Sequence, residues 1–575
     1  ALEPAIENCL YQVEWLLLDV VQPHKWQAGE RVLCIGSKVA AALAEKLAAA
    51  GKQSALLTLA QLSAGIAAPS GPLIMVYCAE DFAAGDDSSA ALGFLKVIQV
   101  LEARDIAADV TVLTCNAAGL GQQAPCPRQS AVVGLLKTAA LEYPQRRWQS
   151  LDIGSTGDAL LADVLAGLDN EPQLALRENR CYAARLMPMT LRQPGKPVGI
   201  RKHRSYLVTG GAGALGFAVV EHLLARGAGS IVIAGRSGLD SLNAAQLARL
   251  DAAAATITGV AADLGQDGGI AKLLAALEGL PPLAGIVHAA GLLNDRVLSR
   301  MDEDDFRAPW AAKVDALRHL GEKLPTAALD FFVVFSSMAA LTGSPGQGNY
   351  AAANAYVDAF MQARKQRGLA ALSINWGPWR GGGMLDGAEA LMAEKGIDSI
   401  APEQGLAAFE ILLNSDAAQA AVMSIRWREF LAALPKPSAF YQEQPEPVAV
   451  QGGLSLLLGD AEPARRFELL EQGLRRLIAQ VLRNPGSVGI EARQRFFDGG
   501  FDSLLAMDFT NRLAKDLAID LPSTLLFDYP TLEALLGFLV QRLAFDVQTA
   551  AVAVDDFDDC SDEQLARLLM QRLDS

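Results

Sequence analysis

The 575-residue chain is short of the residues that build cross-links and metal sites. Its seven cysteines (Cys9, Cys34, Cys78, Cys115, Cys126, Cys181 and Cys560) are odd in number, scattered, and form no Cys-x-x-Cys pair. That spacing argues against a disulfide framework and against a zinc site. Cys34, Cys78 and Cys115 sit inside apolar runs, where a reduced thiol is a small hydrophobe. None of the five histidines pairs at metal-ligand spacing, so no metal is expected. Positive charge is in deficit as well: 49 Lys and Arg face 65 Asp and Glu, for a formal charge of −16. With no basic cluster to offset this, sequence-independent binding to nucleic acid or to an anionic membrane is disfavoured. No apolar run is long enough to span a bilayer and no secretory leader is seen, so a reduced cytoplasm is the expected compartment. The motifs G-x-S-x-G and H-E-x-x-H are missing, which leaves hydrolase and metalloprotease readings without support. The opening residues, from Ala1, read like mid-protein sequence, and a fragment of a longer protein is expected.

What the chain does have is two long stretches in which short apolar runs alternate with helical patterns, the mark of parallel α/β layers. The first holds candidate strands Arg31–Ile35, Leu73–Tyr77 and Asp109–Thr114, with a helical pattern over Val39–Ala50. The second holds Tyr206–Thr209, Ser230–Ala234, Gly285–His288, Phe331–Phe335 and Ala371–Asn375. A polar stretch, Arg192–Arg204, separates them. A proline-bearing linker follows near Leu434–Leu454, then a helical stretch over about 459–545. An acidic spacer (Asp555, Asp556, Asp558, Asp559) and an amphipathic helix over 561–573 end the chain.

Only the second stretch carries a phosphate loop. Strand Tyr206–Thr209 runs into Thr209-Gly210-Gly211-Ala212-Gly213-Ala214-Leu215-Gly216 and then a helical pattern. Small residues there let a pyrophosphate approach a helix N-terminus, whose free N–H groups and dipole favour negative charge. The next strand ends in Gly235-Arg236-Ser237. An NAD site usually places an acid at this point, whereas Arg236, with Ser237 as a second donor, suits a 2′-phosphate, so NADPH is expected over NADH. Asp263 and Leu264 fall where adenine would lie, Ala289 and Gly291 beside a ribose and nicotinamide, and Gly377-Pro378 beside the nicotinamide amide. The first stretch instead reads Cys34-Ile35-Gly36-Ser37-Lys38 after its first strand and is expected to be a structural partner.

Hydride addition to a ketone builds negative charge on oxygen, which calls for a proton donor held against it. Strand Phe331–Phe335 leads into Ser336-Ser337, and Tyr350 follows thirteen residues after Ser337. Asn354 lies four beyond Tyr350, on the same helix face, and Lys313 lies upstream. These residues resemble the short-chain dehydrogenase/reductase superfamily, and within it the ketoreductases of modular polyketide synthases. The superfamily's usual order is Tyr-x-x-x-Lys. The polyketide branch puts Asn four after Tyr and takes its Lys from an earlier helix, as Asn354 and Lys313 stand here. The runs Val287–Gly291, Phe335–Ser337 and Gly343–Tyr350 are similar to that branch, and the resemblance covers about residues 1–435. It implies that Tyr350 donates the proton, that Ser337 hydrogen-bonds the carbonyl oxygen and that Asn354 helps hold a proton relay. Lys313 is expected to lower the phenol pKa.

The run Phe496–Leu504, containing Asp502-Ser503, is also what helix N-capping prefers. Together with Leu525–Leu532 it resembles acyl and peptidyl carrier domains, which implies a 4′-phosphopantetheine arm on Ser503, a phosphopantetheinyl transferase that adds it, and ketosynthase and acyltransferase domains as neighbours. The expected architecture is therefore two Rossmann-like, doubly wound parallel-sheet halves, one degenerate, followed by a small all-α four-helix carrier. The boundaries read 1–197, 198–434, 435–458 (linker), 459–545 (carrier) and 546–575 (spacer and last helix). The expected activity is reduction of a carrier-bound β-ketoacyl group. In ketoreductases resembling this one, a Leu-Asp-Asp motif marks the B-type and its D-configured hydroxyl, and a Trp eight residues before the Tyr marks the A-type. Here the positions hold Leu293-Asn294-Asp295 and Thr342, which favours the D-hydroxyl, while Ala352 argues against epimerisation. Two other readings stay open: a fatty acid synthase fragment, and a non-catalytic carrier unit with a decayed reductase.

Overall fold

The apolar runs form strands, and there are more of them than the alternation alone indicates. The N-terminal half contributes β1 (Leu10–Leu17), β2 (Arg31–Ile35), β3 (Gln53–Leu57), β4 (Leu73–Cys78), β5 (Asp109–Cys115), β6 (Trp148–Ile153), β7 (Gln173–Arg177) and β8 (Arg180–Pro188). The following half contributes β9 (Ser205–Thr209), β10 (Ser230–Gly235), β11 (Thr256–Ala261), β12 (Leu283–His288), β13 (Phe331–Ser337), β14 (Leu372–Trp376), β15 (Ile397–Asp398), β16 (Gln419–Val422) and β17 (Ser424–Ile425). A computed structural model describes residues 6, 8–18, 26–65, 71–82, 85–121, 123–154, 161–165, 171–190, 197–324, 326–381, 389–436, 438–444, 458, 463–482, 492–517, 519, 521–522 and 524–543. The acidic spacer, the expected last helix and residues 445–457 of the proline-bearing linker lie outside the described residues.

Fifteen strands make one sheet, ordered β11-β10-β9-β12-β13-β14-β16-β1-β8-β7-β6-β5-β4-β2-β3. Strands on either side of its centre pair in parallel, and every residue of β4 and of β9 is buried. Burial on both faces is why these strands read as continuous apolar runs. β1 is the seam: it pairs antiparallel with β8, from Tyr11↔Pro188 to Leu17↔Tyr182, and with β16 through Leu10↔Val422. One strand of the N-terminal half thus lies between the two parallel regions, and residues 1–449 form one compact unit.

Each half reverses its strand order once. In the second, the chain steps from β9 outward to β10 and β11, then returns to β12 on the other side of β9. In the first it steps from β2 to β3 and returns to β4 on the other side of β2. Such reversals leave a crevice at the carboxyl ends of the strands. Helices follow both reversal strands: α1 (Lys38–Ala49) after β2 and α2 (Ala214–Ala225) after β9.

The second compact unit, within 450–575, is helical, with described helices Pro463–Val481, Ser503–Leu517, Leu525–Asp528 and Leu532–Arg542. Leu470, Leu474, Phe496, Phe509, Leu513, Leu535 and Leu539 form its core. The apolar face expected on the helix after Ser503 is there: Phe509, Leu513 and Leu517 are buried, with Leu505 partly so. Among the described residues no helix is long and apolar enough to cross a membrane.

Candidate active site

The glycine turn is shaped by close backbone approach. Gly210 adopts φ +67°, and a Cβ built on it would come within 2.7 Å of the Ala290 backbone. A Cβ on Gly216 would meet the Gly210 carbonyl oxygen at 2.2 Å. Larger residues at these two positions would force the turn away from the strand and helix it joins. Thr209, at the end of β9, is buried, its carbonyl accepting from Ala289 N at 3.0 Å. Gly211 is buried, Gly213 caps α2 and is exposed, and Leu215 and Gly291 are half-buried. Arg236 and Ser237 are exposed just past β10, and Arg236 makes no ion pair among the described residues. Asp263, also exposed, accepts from Gly265 N at 3.0 Å, while buried Leu264 offers its carbonyl to His319. Gly377 and Pro378 are buried and pinned, Gly377 N donating to Val422 O and Ile400 N to Pro378 O. All these residues follow the carboxyl ends of parallel strands at one edge of the sheet. A bare turn at a helix N-terminus with an exposed guanidinium on the next strand end fits a phosphorylated dinucleotide.

Tyr350 lies in the first turn of α3 (Gly348–Gln366), which starts after the loop that follows β13. The Ser337 and Asn354 side chains lie beside its phenol and favour the ionised form. Asn354 Nδ2 also donates to the Tyr350 carbonyl at 2.8 Å, and Asn354 Oδ1 is buried with no partner among the described residues. Lys313 reaches the cluster from a π-helical segment, Ala311–Asp315, set between helices Glu303–Trp310 and Ala316–Lys323. π turns of this kind often mark functional positions. Lys313 Nζ donates to Phe335 O at 2.7 Å and lies 5.6 Å from the Tyr350 ring centroid. The four expected residues are therefore brought together.

The phenol pKa is raised in this structure: burial is the largest cause, and the Asn354 and Ser337 side chains only partly offset it. The ammonium is bonded to a backbone carbonyl and faces the ring, and burial pushes its own pKa down to about 8. The phenol is thus held in its protonated form, the form a proton donor requires.

The Leu293-Asn294-Asp295 segment is tied to the loop that delivers Tyr350. Gln347 Nε2 donates to Asp295 Oδ2 at 3.0 Å, and Arg296 N donates to Gly346 O at 2.7 Å. The departure from Leu-Asp-Asp has a local reason: Asn294 Nδ2 donates to Asp305 Oδ1 at 3.0 Å, where an Asp would set two carboxylates together. Leu293 is half-buried beside it. Thr342 is half-buried too, its hydroxyl donating to Met338 O at 3.1 Å.

Two supporting residues were not singled out from the sequence. Asn349, fully buried, donates to Asn294 O (2.8 Å) and Asp305 O (2.7 Å) and accepts from Tyr350 N (2.8 Å). Asp305 O needs that donor because Pro309, four residues on in the helix, has no N–H. Pro309 and an Asn directly before the Tyr were the available signals. His288, also buried, joins Thr209 Oγ1 (2.6 Å) to Lys313 O (3.1 Å). A carbonyl only accepts, so Nε2 carries the proton and Nδ1 accepts from Thr209. Burial pushes this imidazole down to about 3, and it stays neutral.

In the helical unit Ser503 is the first residue of its helix, and Asp502 Oδ1 accepts Leu505 N at 2.7 Å. N-capping therefore operates there and places Ser503 at the helix start. Phe496 N donates to Pro530 O at 2.9 Å and Phe497 stacks on Phe527, so the two motif runs meet.

Three family models match the chain: the Rossmann fold domain of the polyketide synthase extender module SpnB over 15–186, the KR domain over 204–381 and the phosphopantetheine attachment site over 472–539. A phenolphthiocerol/phthiocerol polyketide synthase protein of Mycobacterium tuberculosis is 34% identical over 72% of this chain and 23% of its own length. The pikromycin polyketide synthase component PikAIII of Streptomyces venezuelae is 31% identical over 83% and 32%. The chain thus spans less than a third of these relatives. A solved A1-type ketoreductase superposes with a TM-score of 0.68 at 29% identity, covering 76% of this chain and 98% of the other. A structure of A-type ketoreductases from modular polyketide synthase gives 0.69 at 29%, covering 77% and 98%. Fold and site define an α/β oxidoreductase of the ketoreductase class. The chain contains a KR domain joined to a phosphopantetheine carrier domain, and its relatives are modular polyketide synthases.

Proposed function

We propose that the chain reduces the β-keto group of a carrier-tethered polyketide intermediate to a D-configured β-hydroxyl with NADPH, the thioester being held on a phosphopantetheine arm at Ser503. The observation that carries the reading is the meeting of Tyr350, Ser337, Asn354 and Lys313 at the strand ends that also bear the glycine turn. In this reading 1–197 is the structural part, 198–434 the catalytic part, 435–458 a linker and 459–545 the carrier. A transferase, a ketosynthase and an acyltransferase are its partners in the cytoplasm.

The substrate oxygen accepts from the Tyr350 phenol and the Ser337 hydroxyl. A reduced nicotinamide supplies the hydride when bound, with the Thr209–Gly216 turn for its pyrophosphate, Arg236 and Ser237 for the 2′-phosphate, Asp263 and Leu264 for adenine, and Ala289, Gly291, Gly377 and Pro378 for the nicotinamide side. Tyr350 gives its proton to the forming alkoxide, and the ammonium of Lys313 stabilises the tyrosinate that results. The unpartnered Asn354 Oδ1 supports a relay, because a buried acceptor in this position calls for a proton-bearing group such as water. Asp295, exposed on the loop bonded to Gln347, is the residue we assign to guiding the arm's entry.

The test is reconstitution with the whole chain. Coenzyme A and a broad-specificity transferase should add one arm by intact mass, and none to Ser503→Ala. A β-ketoacyl pantetheine thioester should consume NADPH, and Tyr350→Phe should lower turnover at least ~100-fold while keeping the fold and NADPH binding. Arg236→Ala should raise the KM for NADPH far more than that for NADH. No NADPH consumption by the wild type would favour the non-catalytic carrier reading. Similar solved structures include A-type enzymes, so chiral chromatography is the decisive readout of configuration, and a predominantly L-configured alcohol would remove Asp295 from its role.

A further inference from the structure

Glu142 ends the helix Pro127–Glu142 in the N-terminal half, yet both of its carboxylate oxygens serve the other half. Oε2 accepts from Leu298 N at 2.8 Å and Oε1 accepts from Gly346 N at 2.8 Å. Leu298 follows the Leu293–Asp295 segment by three residues, and Gly346 precedes Tyr350 by four. Gly346 is also held through its carbonyl, which accepts from Arg296 N. Glu142 is 1% exposed and has no ion-pair partner among the described residues. Burying a carboxylate without a cation is costly, and an apolar residue would pack there at lower cost. What only a carboxylate supplies is two acceptors held at a fixed separation. The surroundings repeat the pattern: Tyr143 Oη accepts from Ser299 N (3.1 Å), and Gln99 Nε2 donates to Met301 O (2.7 Å). A Cβ on Gly134, in the same helix, would lie 2.6 Å from Ala351 O, so this helix packs directly against the one that bears Tyr350.

We propose that Glu142 is a positioning residue for the reduction: from the half without a glycine-rich loop, its carboxylate sets the spacing between the 293–298 and 343–350 segments and thereby the ketone face offered to Tyr350. The proposal rests on the reductase reading above. Burial pushes the Glu142 carboxyl up to about 7 against the pull of the Leu298 and Gly346 N–H groups, so these two bonds are what sustain its ionised form.

Glu142→Gln keeps the shape but turns one acceptor into a donor facing an N–H. In the full chain it should keep the melting temperature within a few degrees and leave NADPH affinity nearly unchanged. It should lower kcat on a β-ketoacyl pantetheine thioester about tenfold, as misplacement of reacting groups does. The minor enantiomer should rise several-fold, and amide exchange at Leu298 and Gly346 should quicken. A merely structural role would move the melting temperature and leave the enantiomer ratio alone. If Glu142→Gln does not fold, Tyr143→Phe, which removes only the acceptor for Ser299 N, should shift the enantiomer ratio the same way by less. An active wild type whose variant keeps kcat and enantiomer ratio overturns the proposal, whether or not exchange changes. A wild type that reduces no ketone overturns the reductase reading and the proposal with it.

Discussion

After β2 and after β9 the chain makes the same move, from strand through tight turn into helix, each time beside the strand where the sheet order reverses. The two helix N-termini differ in what faces them. Beyond β9 the opposing residues, at the end of β12, are Ala289 and Ala290, and α2 has no side-chain cap at Gly213. Beyond β2 the opposing residue, past the end of β4, is Asp81. Its carboxylate accepts from the N–H groups of Ser37 (2.8 Å), Lys38 (2.9 Å), Val39 (3.0 Å) and Ala40 (3.0 Å) and from the Ser37 hydroxyl (3.1 Å). A Cβ on Gly36 would lie 2.4 Å from Asp81 Oδ2, so the carboxylate sits against the turn itself. A helix N-terminus presents donors that some acceptor must satisfy. The N-terminal half answers that demand with its own side chain, and in the second half the backbone of Ala289 and Ala290 faces the turn. The residue across the crevice thus sets one architecture against a carboxylate in one place and against alanine backbone in the other.

Transplanting the carboxylate is the harshest test of this comparison. Ala290→Asp sets an acid against the Gly210–Gly216 turn and should weaken NADPH binding by about 100-fold or more, roughly 3 kcal/mol, with the melting temperature nearly unchanged. Fluorescence titration of NADPH measures it, and normal affinity would break the comparison. The reverse change is smaller. Asp81→Ala removes a cap from α1 and should cost about 1–2 kcal/mol in urea unfolding. It should also let inorganic phosphate raise the melting temperature of the variant more than that of the wild type, and equal responses would mean that Asp81 does not stand in for an anion. The smallest effect is one of pH. Burial alone would raise the Asp81 carboxyl, but the N–H groups of Val39, Ala40 and Ser37 together outweigh it and hold the group below its usual 3.8. The folded state therefore binds this proton less readily than the unfolded one. Its stabilisation is complete above 3.8 and is lost as pH falls through the lower folded value. Unfolding curves of the wild type and Asp81→Asn should approach each other at the acid end, and parallel curves would count against the assignment.

Features that lie close together in the chain were legible in advance. The glycine turn announces itself between Thr209 and Gly216, and Tyr350 and Asn354 share a helix face by spacing alone. The strand ends that carry Arg236 and Ala289 follow from apolar runs buried on both faces. β1 was not placed, because it pairs with strands more than 160 residues away, as Leu10↔Val422 and Tyr11↔Pro188 show. The residue types of Asp81 and Glu142 gave no hint of their partners, which lie 41–44 and 156–204 positions away.

The sequence by itself determined the α/β alternation, the helical carrier unit, and the pairing of a glycine-rich turn with a Tyr, Ser, Asn and Lys set, because periodicity and short spacings are local properties. Only the tertiary structure decided that burial holds the phenol in its protonated form, that Asn294 is held by Asp305, and that one crevice is closed by Asp81 while the other is lined by Ala289 and Ala290. Those outcomes depend on burial and on hydrogen bonds between residues far apart in the chain, and both exist only once the sheet has assembled.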